Sequence, residues 1–203
     1  ASTLPGLHRI GAQFVQSLPV VATAGSRRRP RGMETYRVDE AFLESKEFEE
    51  IVEGVDRVSA RGWTQCWTKE QLRWRLAAPG SEYGVHVDDA LVAVSTSATV
   101  KGARVAVLLK LLVRGEPAGA SAARHARAAR AFHRASAVVY AGFNRHVTVS
   151  GIRVPKILQP APLNLLFLAK KDASALLRFE MGDDIPEVVP RFDTFELLDF
   201  DAL

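Results

Sequence analysis

The sequence predicts an α/β domain whose mixed central sheet has an antiparallel meander, one parallel pair of strands and flanking helices. Two helical patterns come first, then three strand patterns in a row, then a helix and further strands. The parallel pair is predicted by an apolar run at Val105–Val113, a helix at about 120–135 and a strand at Ser136–Phe143. A helix of that length permits the right-handed crossover that makes two strands parallel neighbours.

The composition is that of one folded domain. Its 203 residues are 47% hydrophobic and 25% charged, as in an ordinary globular protein. No apolar run approaches the roughly 20 residues needed to cross a bilayer, so we expect a soluble protein without a membrane partner. Cys66 is the only cysteine, which excludes an intramolecular disulfide and favours a cytoplasmic location.

Residues 1–32 hold most of the basic excess. The net charge is +4, and no Asp or Glu occurs before Glu34. A basic leader, a linker and the remnant of an upstream domain are open interpretations of this segment, and the domain itself is expected to span 33–203. Part of the segment, LHRIGAQFVQSLPVVA, has β character. Its basic residues include Arg9, Arg27, Arg28, Arg29 and Arg31.

Two helices are expected ahead of the sheet. The first is amphipathic and ends near Gly54 or a turn later. The second begins after Thr68, a residue type that caps helices, and Pro79-Gly80 stops it. The apolar face of the first helix consists of Phe48, Ile51, Val52 and Val55. The tryptophans nearby are expected to lie mainly in the core, rather than to form a stacking platform, and they are Trp63, Trp67 and Trp74.

The meander begins with a hairpin. Alternation at Tyr83–Val87 and a run at Leu91–Ala98 predict two strands that turn at Asp88-Asp89. The next strand, Val105–Val113, is apolar almost throughout, as in a central strand covered on both faces. Lys110 alone interrupts it. Two later strands are expected at Pro162–Lys170 and Thr194–Phe200.

The predicted helix at 120–135 has alanines on one side and arginines on the other. The small alanines allow it to lie close to a sheet. A row of arginines can neutralise phosphates, but a solvated helix face explains it more simply, so nucleic acid is not the expected partner. The arginines are Arg124, Arg127, Arg130 and Arg134.

Three segments carry a resemblance to a known family. One is EQLRWRLAAPGSEYGVHVDDALVAV, with Trp74, Arg75, Pro79 and Tyr83, and the others are PLNLLF and TFELLDFDAL. Together with the element order, over about residues 38–203, they resemble the second, degenerate domain of tandem proteins in the GNAT superfamily of acyl-CoA N-acyltransferases. The resemblance implies a parallel strand pair that splays apart at its C-terminal ends.

The resemblance also implies where acetyl-CoA or another acyl-CoA would bind. In the family, the pantetheine arm bonds to the backbone beside the splay, and the pyrophosphate lies at the start of the following helix. This loop departs from the family pattern, because Glu116 stands where Arg or Gln is usual and Pro117 lacks an N–H donor. The residues that match the cofactor site are Leu111, Leu112, Val113, Arg114, Gly119, Ala120 and Ser121.

The resemblance places candidate catalytic residues on the second parallel strand. Tyr140 and Asn144 lie near the position of a family general acid, although Tyr140 also fits a core aromatic with a satisfied hydroxyl. Val113 N–H matches the oxyanion donor. Lys110 is expected as a pocket charge rather than a base, and Asp199 as an amine-orienting or exposed carboxylate. The histidines show no metal spacing, so no metal is expected.

The function that the resemblance implies is transfer of an acyl group, acetyl in the family, from CoA to a small-molecule or peptide amine. A non-catalytic copy of the fold is the alternative, with an upstream domain or a second copy of the chain as its partner. A basic module that binds nucleic acid through the arginine face is the third hypothesis. The acceptor amine has no signature in the sequence.

Overall fold

A computed structural model describes residues 13–24, 26, 28–55, 65, 67–115, 119–159, 163–167 and 192–199. The strands are β1 (Gln13–Ser17), β2 (Val20–Thr23), β3 (Glu34–Arg37), β4 (Gly84–Val87), β5 (Leu91–Val100), β6 (Ala103–Val113), β7 (Ala120–Ser121), β8 (Ala137–Asn144), β9 (Val147–Thr148), β10 (Ile152–Arg153), β11 (Asn164–Phe167) and β12 (Thr194–Glu196). The helices are α1 (Glu40–Leu43), α2 (Lys46–Glu53), α3 (Lys69–Leu76) and α4 (Ala123–Phe132), with short 3-10 helices at Lys156–Leu158 and Leu197–Asp199.

The central sheet is mixed. Its strand order is β10-β2-β8-β6-β5-β4-β3, and β12 pairs with the end of β8. Strands β3 to β6 form an antiparallel meander, whereas β6 and β8 are parallel neighbours. Helix α4 makes the connection between that pair. The predicted fold class is therefore confirmed: an antiparallel meander, one parallel pair and flanking helices.

The parallel pair separates at its C-terminal end. Pairing runs from Val105–Ala137 to Leu108–Tyr140 and then stops, although both strands continue. Leu109 is an extra residue on β6, because its two neighbours pair with consecutive residues of β5. Such a bulge bends a strand and increases its twist. The bulge thus gives a physical reason for the divergence.

Two cores cover the two faces of the sheet. One lies beneath α1, α2 and α3 and includes Phe48, Leu72 and Leu109. The other lies beneath α4, where Ala126 and Ala129 pack on the sheet. These alanines have no bulk beyond Cβ, so the helix lies close to the strands, as predicted from its composition.

Local capping sets the ends of the first helices. Ser45 Oγ accepts from Phe48 N–H at the start of α2, and Gly54 is the C-terminal cap. Thr68 and Gln71 exchange side-chain and backbone hydrogen bonds at the start of α3. The end of α2 at Gly54 and the start of α3 after Thr68 both follow the sequence expectation. The expectation of a tryptophan core is wrong for Trp74, which is 72% exposed, while Trp63 lies outside the described residues.

The first segment of the chain enters the sheet. Strand β2 pairs with β8 on one side and with β10 on the other. Residues on both sides of the predicted boundary at residue 32 therefore belong to the central sheet. Strand β1 pairs with β11 in a small second sheet. The β character predicted here is confirmed, whereas an origin of this segment in an upstream domain stays a prediction.

Two predicted elements are shorter than expected. Helix α4 begins at Ala123, because Ala120–Ser121 pairs instead with Val147–Thr148 as a parallel ladder. The last strand ends at Glu196, since Asp199 Oδ2 accepts from Glu196 N–H at 2.8 Å and closes a turn. Of the strand expected at Pro162–Lys170, the structure describes β11 at Asn164–Phe167. Pro162 and residues 168–170 lie outside the described residues. Within the described ranges, no helix has the length and apolar character of a membrane span.

Candidate functional site

The diverging ends of β6 and β8 form the candidate site, at the place where the family resemblance puts the pantetheine arm. The chain's own residues 194–199 span this gap. Strand β12 pairs antiparallel with Gly142–Asn144 at the end of β8. The 3-10 helix that follows β12 packs against β6. The gap is therefore bridged from within the chain.

A buried ion cluster holds this segment to β6. Lys110 Nζ lies 2.9 and 2.8 Å from the two carboxylate oxygens of Asp199 and 3.0 Å from Glu196 Oε2. The side chain of Lys110 is 2% exposed and those of both acids are 0% exposed. Trp67 Nε1–H also donates to Asp199 Oδ1, at 2.9 Å. Residues 132 positions apart are thus joined at one carboxylate.

The bulge explains why Lys110 reaches these acids. Because Leu109 is the extra residue, Leu109 and Lys110 both face the side of the sheet that α1 to α3 cover, where Leu198 is also buried. Burial alone would lower the pKa of Lys110, but the neighbouring carboxylates of Glu196 and Asp199 outweigh it and raise that pKa. Lys110 therefore stays a cation.

Glu196 joins the ion cluster to the main chain of β6. Its Oε1 accepts from Leu111 N–H at 3.1 Å and from the Tyr140 hydroxyl at 3.1 Å. Burial raises the pKa of Glu196 to about 7, with the Lys110 cation acting in the opposite direction. Burial also raises the pKa of Tyr140 far above its ordinary value. Tyr140 is thus a neutral donor in a buried network.

Both main-chain groups of Leu111 are occupied. Its N–H donates to Glu196, and its carbonyl accepts from Asn144 Nδ2 at 3.0 Å. Asn144 Oδ1 accepts in turn from His146 N–H at 3.0 Å, which fixes the amide orientation. A ligand strand that bonds to Leu111 has to displace both side chains.

A cavity of about 510 Å³ lies beside the gap. It is enclosed by the end of α2, the start of α3 and the last residues of β6. Leu112, Val113 and Asn144 are among its lining residues. Val113 lies two positions beyond Leu111, so its main-chain groups point to the same side of the strand. Tyr140 packs in the core beneath α4 instead.

The loop before α4 is tied to neighbouring strands. Gly119 has a φ of 80°, and Ala120 and Ser121 belong to the ladder with β9. Ala122 N–H donates to Thr148 O at 3.0 Å, and Ala123 N–H donates to Ser121 Oγ at 3.4 Å. The Ala122 and Ala123 amides at this helix start therefore have partners within the chain. Residues 116–118, where the loop departs from the family pattern, lie outside the described residues.

The two arginines beside this loop contact the β4–β5 turn. Arg114 Nη1 donates to the Asp88 carbonyl at 3.4 Å, and Arg124 Nη1 lies 3.2 Å from Asp88 Oδ2. Arg124 also donates to the Arg31 carbonyl at 2.6 Å. Both cations are thus directed to groups of the protein.

The structure brings together only part of the predicted site. Lys110, Leu111, Leu112, Val113 and Asn144 meet at the cavity. Ala120 and Ser121 instead form the ladder with β9, and Gly119 precedes that ladder. The functional roles given to these residues, and to Tyr140 and Arg114, stay predictions.

Sequence reasoning missed Glu196. Its signal was indirect: a lysine in an otherwise apolar central strand requires a buried counter-charge. TFELLD supplies two acids near the end of the sequence. Among the described residues, no three His, Cys, Asp or Glu side chains are grouped as a metal site requires. Cys66 and His8 lie outside those residues.

Comparisons with known proteins give a distant structural likeness. No protein-family model and no curated protein sequence matches the chain. Among solved structures, it is similar to a GCN5-related N-acetyltransferase from Anabaena variabilis, with 9% identity and a TM-score of 0.37. The alignment covers 82% of this chain and 42% of that one, so the chain spans less than half the length of that protein. A tandem arrangement stays a prediction.

Proposed function

We propose that this chain is a non-catalytic domain of GNAT-like fold, a structural module whose acyl-CoA gap is closed by its own residues 194–199. The observation that supports the proposal is that both main-chain groups of Leu111 already have hydrogen-bond partners within the chain. An acyl-CoA arm would bond to the main chain of β6 as an added strand. Glu196 and Asn144 already make those bonds to Leu111.

The ion cluster makes displacement of this segment costly. Removing one partner from a buried charge pair destabilises a protein by roughly 3 to 5 kcal/mol, because an unpaired charge remains buried. If an arriving acyl-CoA bore a cost of about 4 kcal/mol, its affinity would fall about a thousand-fold. Ordinary cellular ligand concentrations would then leave the gap closed.

The loop before α4 supports the same proposal. Glu116 places a negative charge next to the expected diphosphate position, and Pro117 removes a donor. The nearby Ala122 N–H is already bonded to Thr148. A helix start attracts phosphate through free N–H groups and its dipole, and here the free groups are fewer.

The cavity of about 510 Å³ favours a second candidate, an acyl-CoA-dependent N-acyltransferase. A neutral amine nitrogen would attack the thioester carbon, the C–S bond would break, and the proton that the nitrogen loses would pass to the leaving thiolate to give CoA. Val113 N–H would stabilise the oxyanion. Asn144 would orient a reactant, and Tyr140 would have to give up its bond to Glu196 to act as an acid. Acetyl-CoA or another acyl-CoA would be the co-substrate, with a small-molecule or peptide amine as acceptor.

The melting temperature of the full chain in acetyl-CoA separates the two candidates. A ligand that binds only the folded state raises the melting temperature by mass action. The proposal predicts no rise at millimolar acetyl-CoA, with an active enzyme of this superfamily as the positive control. A saturable rise, together with thiol release when amines are added, would establish the acyltransferase instead.

ADP provides a matched ligand control, since it has a diphosphate but no pantetheine arm. A rise with acetyl-CoA and none with ADP would place the arm in the gap and overturn the proposal. Association with an upstream domain or a second copy, and a cytoplasmic location, stay predictions.

A further inference from the structure

A second concave site lies at the other end of the central sheet. Arg37 at the end of β3, Arg104 at the start of β6 and Arg134 after α4 line a cavity of about 300 Å³ together with Glu82 and His133. We call these residues the arginine cleft. Arg104 and Val113 are separated by most of β6, roughly 30 Å at the usual rise of a strand. The cleft is therefore separate from the acyl-CoA gap.

The cleft has an excess of two positive charges. Of the described residues that line it, Glu82 is the acid and serves two arginines. It is ion-paired with Arg37, and its Oε2 lies 3.0 Å from Arg104 Nη2. The Arg134 guanidinium has no hydrogen bond or ion pair with any described residue. One carboxylate cannot balance three guanidinium groups gathered around one concavity.

Arg134 occupies a backbone position that glycine prefers. Its φ is 51°, and Ala135 N–H donates to Arg130 O at 3.0 Å to close the end of α4. Glycine usually occupies this left-handed position after a helix. A side chain there costs on the order of 1 kcal/mol. The arginine thus lines the cleft from a backbone position that glycine would occupy without strain.

The floor of the cleft ends a buried polar relay. His133 Nε2 lies 2.9 Å from Ser95 Oγ, and Ser95 Oγ lies 2.8 Å from His86 Nε2. His86 Nδ1 lies 3.3 Å from Thr35 Oγ1. His133 is 1% exposed, and its Nδ1 has no hydrogen-bond partner among the described residues.

The relay also contacts the main chain, because Ser95 Oγ donates to the Gly84 carbonyl at 3.3 Å. Burial lowers the pKa of His86 to about 3 and that of His133 to about 4, so both rings are neutral.

We propose that the arginine cleft binds the phosphate group of a small phosphate monoester. A monoester dianion has close to two negative charges and three acceptor oxygens, which match the charge excess. Guanidinium forks fit those oxygens in pairs. The cavity of about 300 Å³ is at the lower end of the range for small-ligand sites, so the ligand is small. This inference is independent of the acyl-CoA gap.

Calorimetry on the full chain with inorganic phosphate and phenyl phosphate tests the proposal, at an ionic strength held constant with chloride. We expect saturable binding of both, and at least a ten-fold loss of affinity in Arg134→Gln. Arg127→Gln is the matched control, since Arg127 is exposed on the same helix and outside the cleft; it should bind as the parent does. Absent binding, or equal loss in both variants, would overturn the proposal.

Arg134→Gly separates binding from folding. Glycine suits the φ of 51°, so this variant should melt at a higher temperature than the parent and still lose phosphate binding. Retained affinity in Arg134→Gly would contradict the proposal. A short oligonucleotide, with phosphodiesters only, should compete weakly; tighter binding than phenyl phosphate would assign the cleft to nucleic acid instead.

Discussion

Lys110 is the residue on which the closed gap depends. It interrupts an apolar strand, and a buried cation is tolerated only with charged and hydrogen-bonded partners. Glu196 and Asp199 provide them at 3.0 Å and 2.8 Å. Removing the cation leaves two acids buried without compensation, whereas removing all three charges leaves a neutral site.

Replacing Lys110 by methionine should therefore lower the free energy of unfolding by about 3 to 5 kcal/mol, measured by urea denaturation. Lys156→Met, at an exposed position, is the control and should change stability by less than about 0.5 kcal/mol. Adding Glu196→Gln and Asp199→Asn to Lys110→Met should restore part of the loss. If the Lys110→Met protein were as stable as the control, the ion cluster would not stabilise the fold, and the account would be contradicted.

The buried histidines make stability depend on pH. His86 and His133 have pKa values lowered by burial to about 3 and about 4, while unfolded histidine titrates near pH 6.5. Their contribution is present above pH 6.5 and is lost as pH falls through the lowered values. Glu196, with its pKa raised by burial to about 7, acts oppositely: its contribution is lost as pH rises through 7.

Between pH 6 and pH 5, His86 and His133 outweigh Glu196, so these three groups should make stability fall with falling pH by about 1.4 kcal/mol per unit. Burial also lowers the pKa of His125, which makes the fall steeper. Urea denaturation at several pH values measures this slope. His86→Gln retains a donor toward Ser95 and removes one titrating group, so it should lower the slope by about 1.4 kcal/mol per unit. An unchanged slope would mean that His86 is protonated in the folded protein.

At the scale of elements, β12 lies unusually close to β8. Gly142 has a φ of 134°, and a Cβ at that position would lie 2.8 Å from Glu196 Cα. Glycine therefore lets the terminal segment approach the gap. The bulge at Leu109 acts on the other strand, because it turns Lys110 toward the acids of that segment.

Gly142→Ala should displace β12 and destabilise the protein more than strain alone explains. The control is Gly102→Ala, where φ is also positive at 79° but nothing lies within 4 Å of the added Cβ. We expect the control to lose about 1 kcal/mol from strain and Gly142→Ala to lose clearly more, by urea denaturation. Equal losses would show that β12 does not press on Gly142.

The element order was predictable because its signals are local. Helical spacing around Phe48, the Thr68 cap and the apolar run at Val105–Val113 each lie within one stretch of chain. The length of the alanine-rich helix then permitted the right-handed crossover of a parallel pair. The bulge was not predictable, since a run that is apolar on both faces shows no change of phase at Leu109.

At the scale of the whole molecule, the features that close the gap are long-range. Glu196 contacts Leu111 across 85 positions, and β2 joins β8 from the opposite end of the chain. Such pairings have no local sequence signature. An acidic residue on a short strand gives the same sequence pattern whether its side chain faces solvent or a buried lysine. The sequence therefore predicted where the parallel strands diverge, but it did not predict that residues 194–199 fill the gap between them.

Amide hydrogen exchange at Leu111 tests the closed gap most directly. The account predicts a protected Leu111 amide, with protection unchanged by acetyl-CoA and lost in Glu196→Ala, where the acceptor of that N–H is absent. Fast exchange at Leu111 in the parent protein, or a change of its rate on addition of acetyl-CoA, would contradict the account.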